Sequence, residues 1–181
     1  GLSSQNLHPQ YEIVLEEHYN YIKSMREAGL KINLLEPLEE YPDSIFVEDP
    51  ALAYKSNIII LNPFDPTRNG EKNIIKNEIK HFFDEIFFVE DGFIEGGDIL
   101  NISNHFIIGL SERTNKLGAE NLSNILKNLG ATVEICKTPK GILHFKSECS
   151  VLDNETILVS RNMVKLDYLK SNFKLIELPI G

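Results

Sequence analysis

Glu95 and Asp98 flank a Gly-Gly pair in "FIEGGDILNIS", residues 93–103, at the mouth of an apolar stretch. Glycine weakens a strand and marks places where another backbone or a ligand comes close. Carboxylates at such an opening suit a cation better than a core. Two further segments share this pattern of a Gly or Pro turn, one or two apolar residues, then polar groups. "YPDSIFVED" carries Asp43, Glu48 and Asp49 together with Phe46, and "KGILHFKSE" carries His144. If the three segments converge, several acids, a histidine and Phe46 line one pocket, the ordinary arrangement of an active site. Histidine is the side chain suited to moving a proton at neutral pH. Arg68 in "DPTRNGE" and Arg113 in "LSERTN" stand in loops just ahead of helix-like segments. A guanidinium holds a carboxylate through two parallel hydrogen bonds. The expected ligand is a small zwitterion, its carboxylate on the arginines and its cationic end among the acids.

Each of these residues has a plainer role to set against this one. An Asp opening a strand often caps its own turn, which weighs most on Asp98. His144, between Leu143 and Phe145, would ordinarily be a hydrogen-bonded core histidine, and Phe46 alone would be core. His8, His18, His81 and His105 fall on polar faces or turns and read as solvated.

The elements that must position these residues recur at intervals of about 50 residues. From Asp49, "DPALAYKSNIIIL" reads as a hairpin, "GEKNIIKNEIKHFF" as a helix with Ile74, Ile75, Ile79 and Phe82 at helical spacing, and "EIFFV" as a strand. From Asp98 the order repeats: a hairpin turning at Ser103-Asn104, a helix ending at Gly130, and the strand "ATVEIC". From Cys149 it repeats again, with a turn at Asp153-Asn154, a helix in "MVKLDYLKSN" and a strand in "FKLIELP". Ahead of them, "YEIVLEEHYNYIKSMREAGLKINLLEP" reads as a helix and a strand, the back half of a fourth unit. The expectation is an α/β fold of ββαβ repeats about an axis, one domain over residues 1–181, incomplete at both ends. A doubly wound sheet would want longer helices between its strands.

Composition narrows the partners. The 181 residues are 42% hydrophobic and 25% charged, enough for one sizeable core, and the net charge of −9 argues against a nucleic-acid partner. The longest apolar runs are strand-sized, so no membrane span is expected. Two cysteines, Cys136 and Cys149, make no disulfide framework, which points to a reducing, cytoplasmic setting. No paired Cys or His spacing marks a metal site.

Together "GLSSQ", "PDSIFVEDPAL", "TRNGE", "EGGDIL", "IGLSERTN", the Gly118-Ala119 pair and "LHFKSECS" resemble the dimethylarginine dimethylaminohydrolases. These belong to the guanidine-modifying penteins, α/β propellers of five ββαβ units, of which about three and a half would be present. The match runs in register from Gly1 to about Pro179. The resemblance implies a hydrolase that converts N-methylated arginine to citrulline through a cysteine thiolate, with no metal or organic cofactor. It implies that Asp49 and Glu95 hold the guanidinium with Phe46 beside it, and that Asp43 and the Leu2 backbone face the α-amino end. Arg68 and Arg113 would take the carboxylate, and His144 would be the acid/base residue. Glu48 and Asp98 complete the expected ligand-binding set.

The family's nucleophile is a cysteine near the natural C-terminus, and it is expected beyond residue 181. Neither cysteine present fits that role. Cys149 lies five residues from His144, on the opposite face of a continuous strand, and Cys136 ends a strand away from the acids. Both read as buried, inert thiols. Three functions stay open: this hydrolase, an arginine deiminase-like or amidinotransferase-like enzyme, and a non-catalytic binder of arginine-like ligands. A homodimer stays open as the assembly.

Overall fold

The computed structural model describes residues 10–68 and 70–179. The chain falls into two compact units, one ending at Pro37 and one from Leu38 onward, where the sequence pattern predicts one domain. The first unit contains helix α1 (Tyr11–Glu27), after which Gly29 takes the left-handed conformation at φ 87°. The strand expected in "KINLLEP" does not form. A strand needs a hydrogen-bonded neighbour, and no described strand pairs with residues 30–37. Leu2, whose backbone is expected at the α-amino end of the ligand, lies outside the described residues.

The second unit contains three ββαβ repeats, each with its own three-stranded sheet. The first comprises β1 (Ala51–Tyr54), β2 (Asn57–Ile60), α2 (Glu71–Ile79) and β3 (Glu85–Phe88). The second comprises β4 (Ile99–Ile102), β5 (His105–Leu110), α3 (Lys116–Asn128) and β6 (Thr132–Lys137). The third comprises β7 (Cys149–Val151), β8 (Thr156–Val159), α4 (Asp167–Asn172) and β9 (Lys174–Glu177). In every sheet the middle strand pairs antiparallel with its hairpin partner and parallel with the strand after the helix. Two helices are shorter than expected, because 3-10 turns take up Lys80–Phe82 and Met163–Lys165.

The middle sheet is buried on both faces. Ile99, Phe106 and Ile108 join one cluster with Ile59, Leu61, Leu122 and Leu126, and Leu100, Ile102 and Ile107 join another with Phe145, Ile157, Met163 and Leu169. Successive strand residues point to opposite faces, so "HFIIG" is an unbroken apolar run serving two interfaces. The amphipathic α3 packs Ala119, Leu122 and Leu126 inward, is capped by the Asn115 side chain accepting from the Gly118 N–H at 2.9 Å, and stops before Gly130 at φ 86°. Polar contacts lock neighbouring repeats: Ser103 donates to Asn154 at 2.6 Å, and Tyr54 donates to Asn104. His105 is half-buried rather than solvated. Its two ring nitrogens each lie 2.7 Å from a hydroxyl, those of Thr132 and Tyr168.

In each hairpin the first strand begins beside the point where the second ends, so the segments leading into β1, β4 and β7 and the loops leaving β2 and β5 gather at one end of the unit.

Candidate active site

Five short segments build this end: residues 43–49 before β1, 62–68 after β2, 93–98 before β4, 111–114 after β5 and 142–147 before β7. Glu95 lies at the centre, 1% exposed. One carboxylate oxygen lies 2.7 Å from His144 Nε2, and the other accepts the Phe64 N–H at 3.1 Å and faces Arg113 at 3.5 Å. His144 is extended at φ −135°, and the chain then turns through a 3-10 segment, Phe145–Ser147. The ring is thus held at a strand's approach, not within a strand.

The charges in this dyad support one another. Burial works against ionised Glu95, but the His144 hydrogen bond and the charges of Arg113 and His144 outweigh it and hold the carboxyl below its ordinary value. Burial likewise opposes protonated His144, but the Glu95 hydrogen bond and the negative charges of Asp98, Asp49 and Glu95 raise its pKa. Each group's charged form is thus favoured by the other's charge.

The glycines that drew attention to Glu95 exist for close approach. A Cβ on Gly97 would lie 2.6 Å from His144 Cγ, and one on Gly96 would collide with the Glu48 carbonyl. Gly-Gly lets the acidic turn slide under the imidazole and against the neighbouring repeat.

Asp49 is buried beside this dyad. It accepts from the Gly97 N–H at 3.1 Å and from Arg68 at 2.6 Å. Arg68 differs from expectation: it is 3% exposed and turned inward, not offered to a ligand carboxylate. Its guanidinium is taken up by Asp49, by Glu71 at 2.6 Å and by the Phe46 carbonyl at 3.1 Å. The reason is local, since Glu71 opens α2 three residues on and clasps Arg68 from the first turn. Arg113 keeps 25% of its side chain exposed and sits between Glu95 and Asp65, which is 3.6 Å away.

Asp98 also departs from the ligand-binding role. It is fully buried, and all its neighbours are donors: Ser111 Oγ at 2.6 Å, Thr114 Oγ1 at 2.7 Å and the Phe145 N–H at 2.8 Å. A ligand has no free edge to bind. Glu48 points outward to Lys146 at 3.0 Å, its side chain 61% exposed. Asp43 is half-buried, and Phe46 is 54% exposed at the rim.

The sequence pattern missed Ser111, Thr114, Glu71 and the Phe64 N–H. Ser111 was legible in principle, because it makes a local turn by accepting the N–H groups of Arg113 and Thr114, a habit of serine before a helix.

Both cysteines are withdrawn from solvent, Cys149 buried and Cys136 partly so. Burial pushes both thiols up to about 12, and Cys149 donates its S–H to the Phe145 carbonyl from within the apolar core. The strand-parity reason given above does not apply, since the 3-10 turn separates His144 from β7. Ligand atoms of Asp49, Glu95 and His144 lie within 4.8 Å of one another, close enough in principle for a metal ion. Such an ion would have to displace the Glu95–His144 contact and compete with Arg68 for Asp49.

A family model described as arginine deiminase matches residues 37–177. The N(G),N(G)-dimethylarginine dimethylaminohydrolase of Pseudomonas aeruginosa is 35% identical over 99% of this chain and 71% of its own length. The protein of the same name from Streptomyces coelicolor is 28% identical over 81% of this chain and 57% of its own. In solved structures, the Pseudomonas aeruginosa enzyme in a Cys-to-Ser form complexed with citrulline superposes with a TM-score of 0.92 over 99% of this chain and 71% of that one, at 35% identity. A Streptomyces griseus inosamine-phosphate amidinotransferase shares the fold, with a TM-score of 0.77 at 16% identity over 91% of this chain and 59% of that one. The chain belongs to the dimethylarginine dimethylaminohydrolase family, within the pentein superfamily of guanidine-modifying proteins.

Proposed function

We propose that this site hydrolyses N-methylated arginine to citrulline and a methylamine. The observation that carries the reading is the Glu95–His144 contact at 2.7 Å beside buried Asp49, an anionic site completed by a proton-carrying imidazole. Glu95 and Asp49 face the substrate guanidinium, with Phe46 at the rim. Arg113, with a quarter of its side chain open to solvent, takes the substrate carboxylate. Arg68 contributes by holding Asp49, and Asp43 lies toward the α-amino end.

A cysteine thiolate supplied from outside residues 1–181 attacks the guanidinium carbon. The bond to the methylated nitrogen breaks as His144 donates its proton, so the amine leaves neutral. Neutral His144 then takes a proton from water and the hydroxide adds to the same carbon; as the thiolate departs the hydroxyl proton passes to the released amine, giving citrulline and a methylammonium ion. Protons balance over the cycle, and nothing is oxidised or reduced. The elevated pKa of His144 suits the first, acid step.

The test compares dimethylarginine, monomethylarginine and arginine as substrates of the protein and its His144→Asn variant. Citrulline from the methylated substrates, with a rate loss of about 10²–10⁴-fold in the variant and retained binding, supports the reading. Preference for unmethylated arginine would move the protein to the deiminase alternative. The free thiols support a reducing, cytoplasmic setting. A homodimer is the assembly we would test by sedimentation.

A further inference from the structure

The two buried aspartates make equivalent contacts in successive repeats. Asp49, ahead of β1, accepts the N–H of Gly97 in the turn before β4, and Asp98, ahead of β4, accepts the N–H of Phe145 in the turn before β7. Each carboxylate thus fastens the next repeat's approach turn. Asp98 does more, because its other oxygen accepts from Ser111 and Thr114, which flank Arg113. Thr114 Oγ1 in turn accepts the Glu95 N–H at 3.3 Å. One buried anion therefore joins the turn carrying Glu95, the turn carrying His144 and the loop carrying Arg113.

We propose that Asp98 is a positioning residue, whose carboxylate keeps the His144 turn and the Arg113 loop in register with Glu95. Two hydroxyls and one backbone N–H converge on it, each placed to donate to its carboxylate oxygens. Burial raises its pKa above the ordinary aspartate value, and the hydrogen bonds from Ser111, Thr114 and Phe145 oppose that shift. A neutral residue of the same shape would satisfy some of the donors but supply no field at His144. The chemistry assigned to His144 and Arg113 rests on the hydrolase reading, whereas the geometry does not.

The test separates the two. His144 is faced by Glu95, Asp98 and Asp49, of which Glu95 also meets Arg113 and Asp49 also meets Arg68, with Lys146 two residues along the chain. Its titration can be followed by NMR on histidine-labelled protein without any turnover. Asp98→Asn is expected to lower the His144 pKa, because the imidazolium loses a nearby anion while the Phe145 N–H keeps an acceptor. A folded Asp98→Asn protein whose His144 titrates as in the wild type overturns the proposal. Ser111→Ala removes one of the two hydroxyl links from Asp98 to the Arg113 loop, together with the turn that Ser111 makes with the Arg113 and Thr114 N–H groups, and leaves every charge in place. It is expected to leave the His144 titration unmoved, to raise KM for dimethylarginine several-fold with a smaller change in kcat, and to be rescued by Ser111→Thr. An unchanged KM in Ser111→Ala overturns the proposal, including where Asp98→Asn does not fold. Protein that includes the attacking cysteine and yet shows no turnover on dimethylarginine would defeat the hydrolase reading, and the His144 titration would still decide the role of Asp98.

Discussion

His144 and Glu95 depend on each other for both position and charge, and that dependence has a pH signature. The folded pKa of His144 lies above the ordinary 6.5, so its pairing contributes stability that is complete below that value and is lost as pH rises through the folded pKa. Glu95 works in the opposite direction, its contribution being present above the ordinary 4.5 and lost as pH falls through its depressed pKa. We therefore expect the stability difference between wild type and His144→Asn, measured by denaturant midpoints, to be largest in weakly acidic solution and to shrink toward alkaline pH. A difference independent of pH would mean that the ring acts by packing alone. Glu95→Gln is nearly isosteric but removes the charge, and a hydrogen bond to a buried charged group contributes about 1.5–3 kcal/mol. The expected result is a folded protein with most turnover lost and a His144 pKa returned toward the ordinary value. Wild-type kinetics in this variant would leave Glu95 a structural role only.

At the level of elements, the hairpins were legible because a strand pair writes itself locally. The turn at Ser103-Asn104 sits directly between its two apolar strands, and the helix stop at Gly130 is marked by its own glycine. The convergence of "FIEGGD" and "LHFK" was legible only through the repeat, since Glu95 and His144 are 49 residues apart in sequence. What the sequence hid was the partner of each charge. Arg68 and Arg113 occupy equivalent loops, yet Glu71 lies within reach of Arg68 and draws it inward, while Arg113 has no acid at that offset and stays partly open. Asp98 looked like Glu95 until the Ser111 and Thr114 hydroxyls were seen to close around it. The expected strand in "KINLLEP" failed for a related reason, because strand formation depends on a neighbour that local pattern does not reveal. The Gly-Gly turn gives the element-scale prediction. Gly97→Ala places a methyl group against the His144 ring, an atom set that cannot yield as a flexible chain end would. Turnover should fall sharply while circular dichroism and thermal midpoint stay close to wild type. A fully active Gly97→Ala protein would show that the ring has room to move without consequence.

At the scale of the molecule, three repeats bring acid, imidazole and guanidinium groups to one end, and both thiols lie instead among apolar side chains of the repeat interfaces. At a pKa of about 12 a negligible fraction of either is thiolate at neutral pH, and thiolate is the attacking species. On the proposed hydrolase reading, the site holds the groups that bind the substrate and move protons, and neither buried thiol is placed to attack. A chelator should leave turnover unchanged, because the three groups near enough to ligate an ion are already engaged with His144, Arg68 or the Gly97 N–H. Loss of activity on chelation, restored by a divalent ion, would reverse that reading. The sharpest test concerns the cysteines themselves. Residues 1–181 alone should release no citrulline from dimethylarginine. In protein that does turn over, Cys136→Ser with Cys149→Ser should leave kcat/KM largely intact, with any cost appearing as lower thermal stability from a polar group placed in the core. Citrulline release by the 181-residue chain, abolished by Cys149→Ser, would place the nucleophile inside the apolar cluster and overturn the assignment of both thiols.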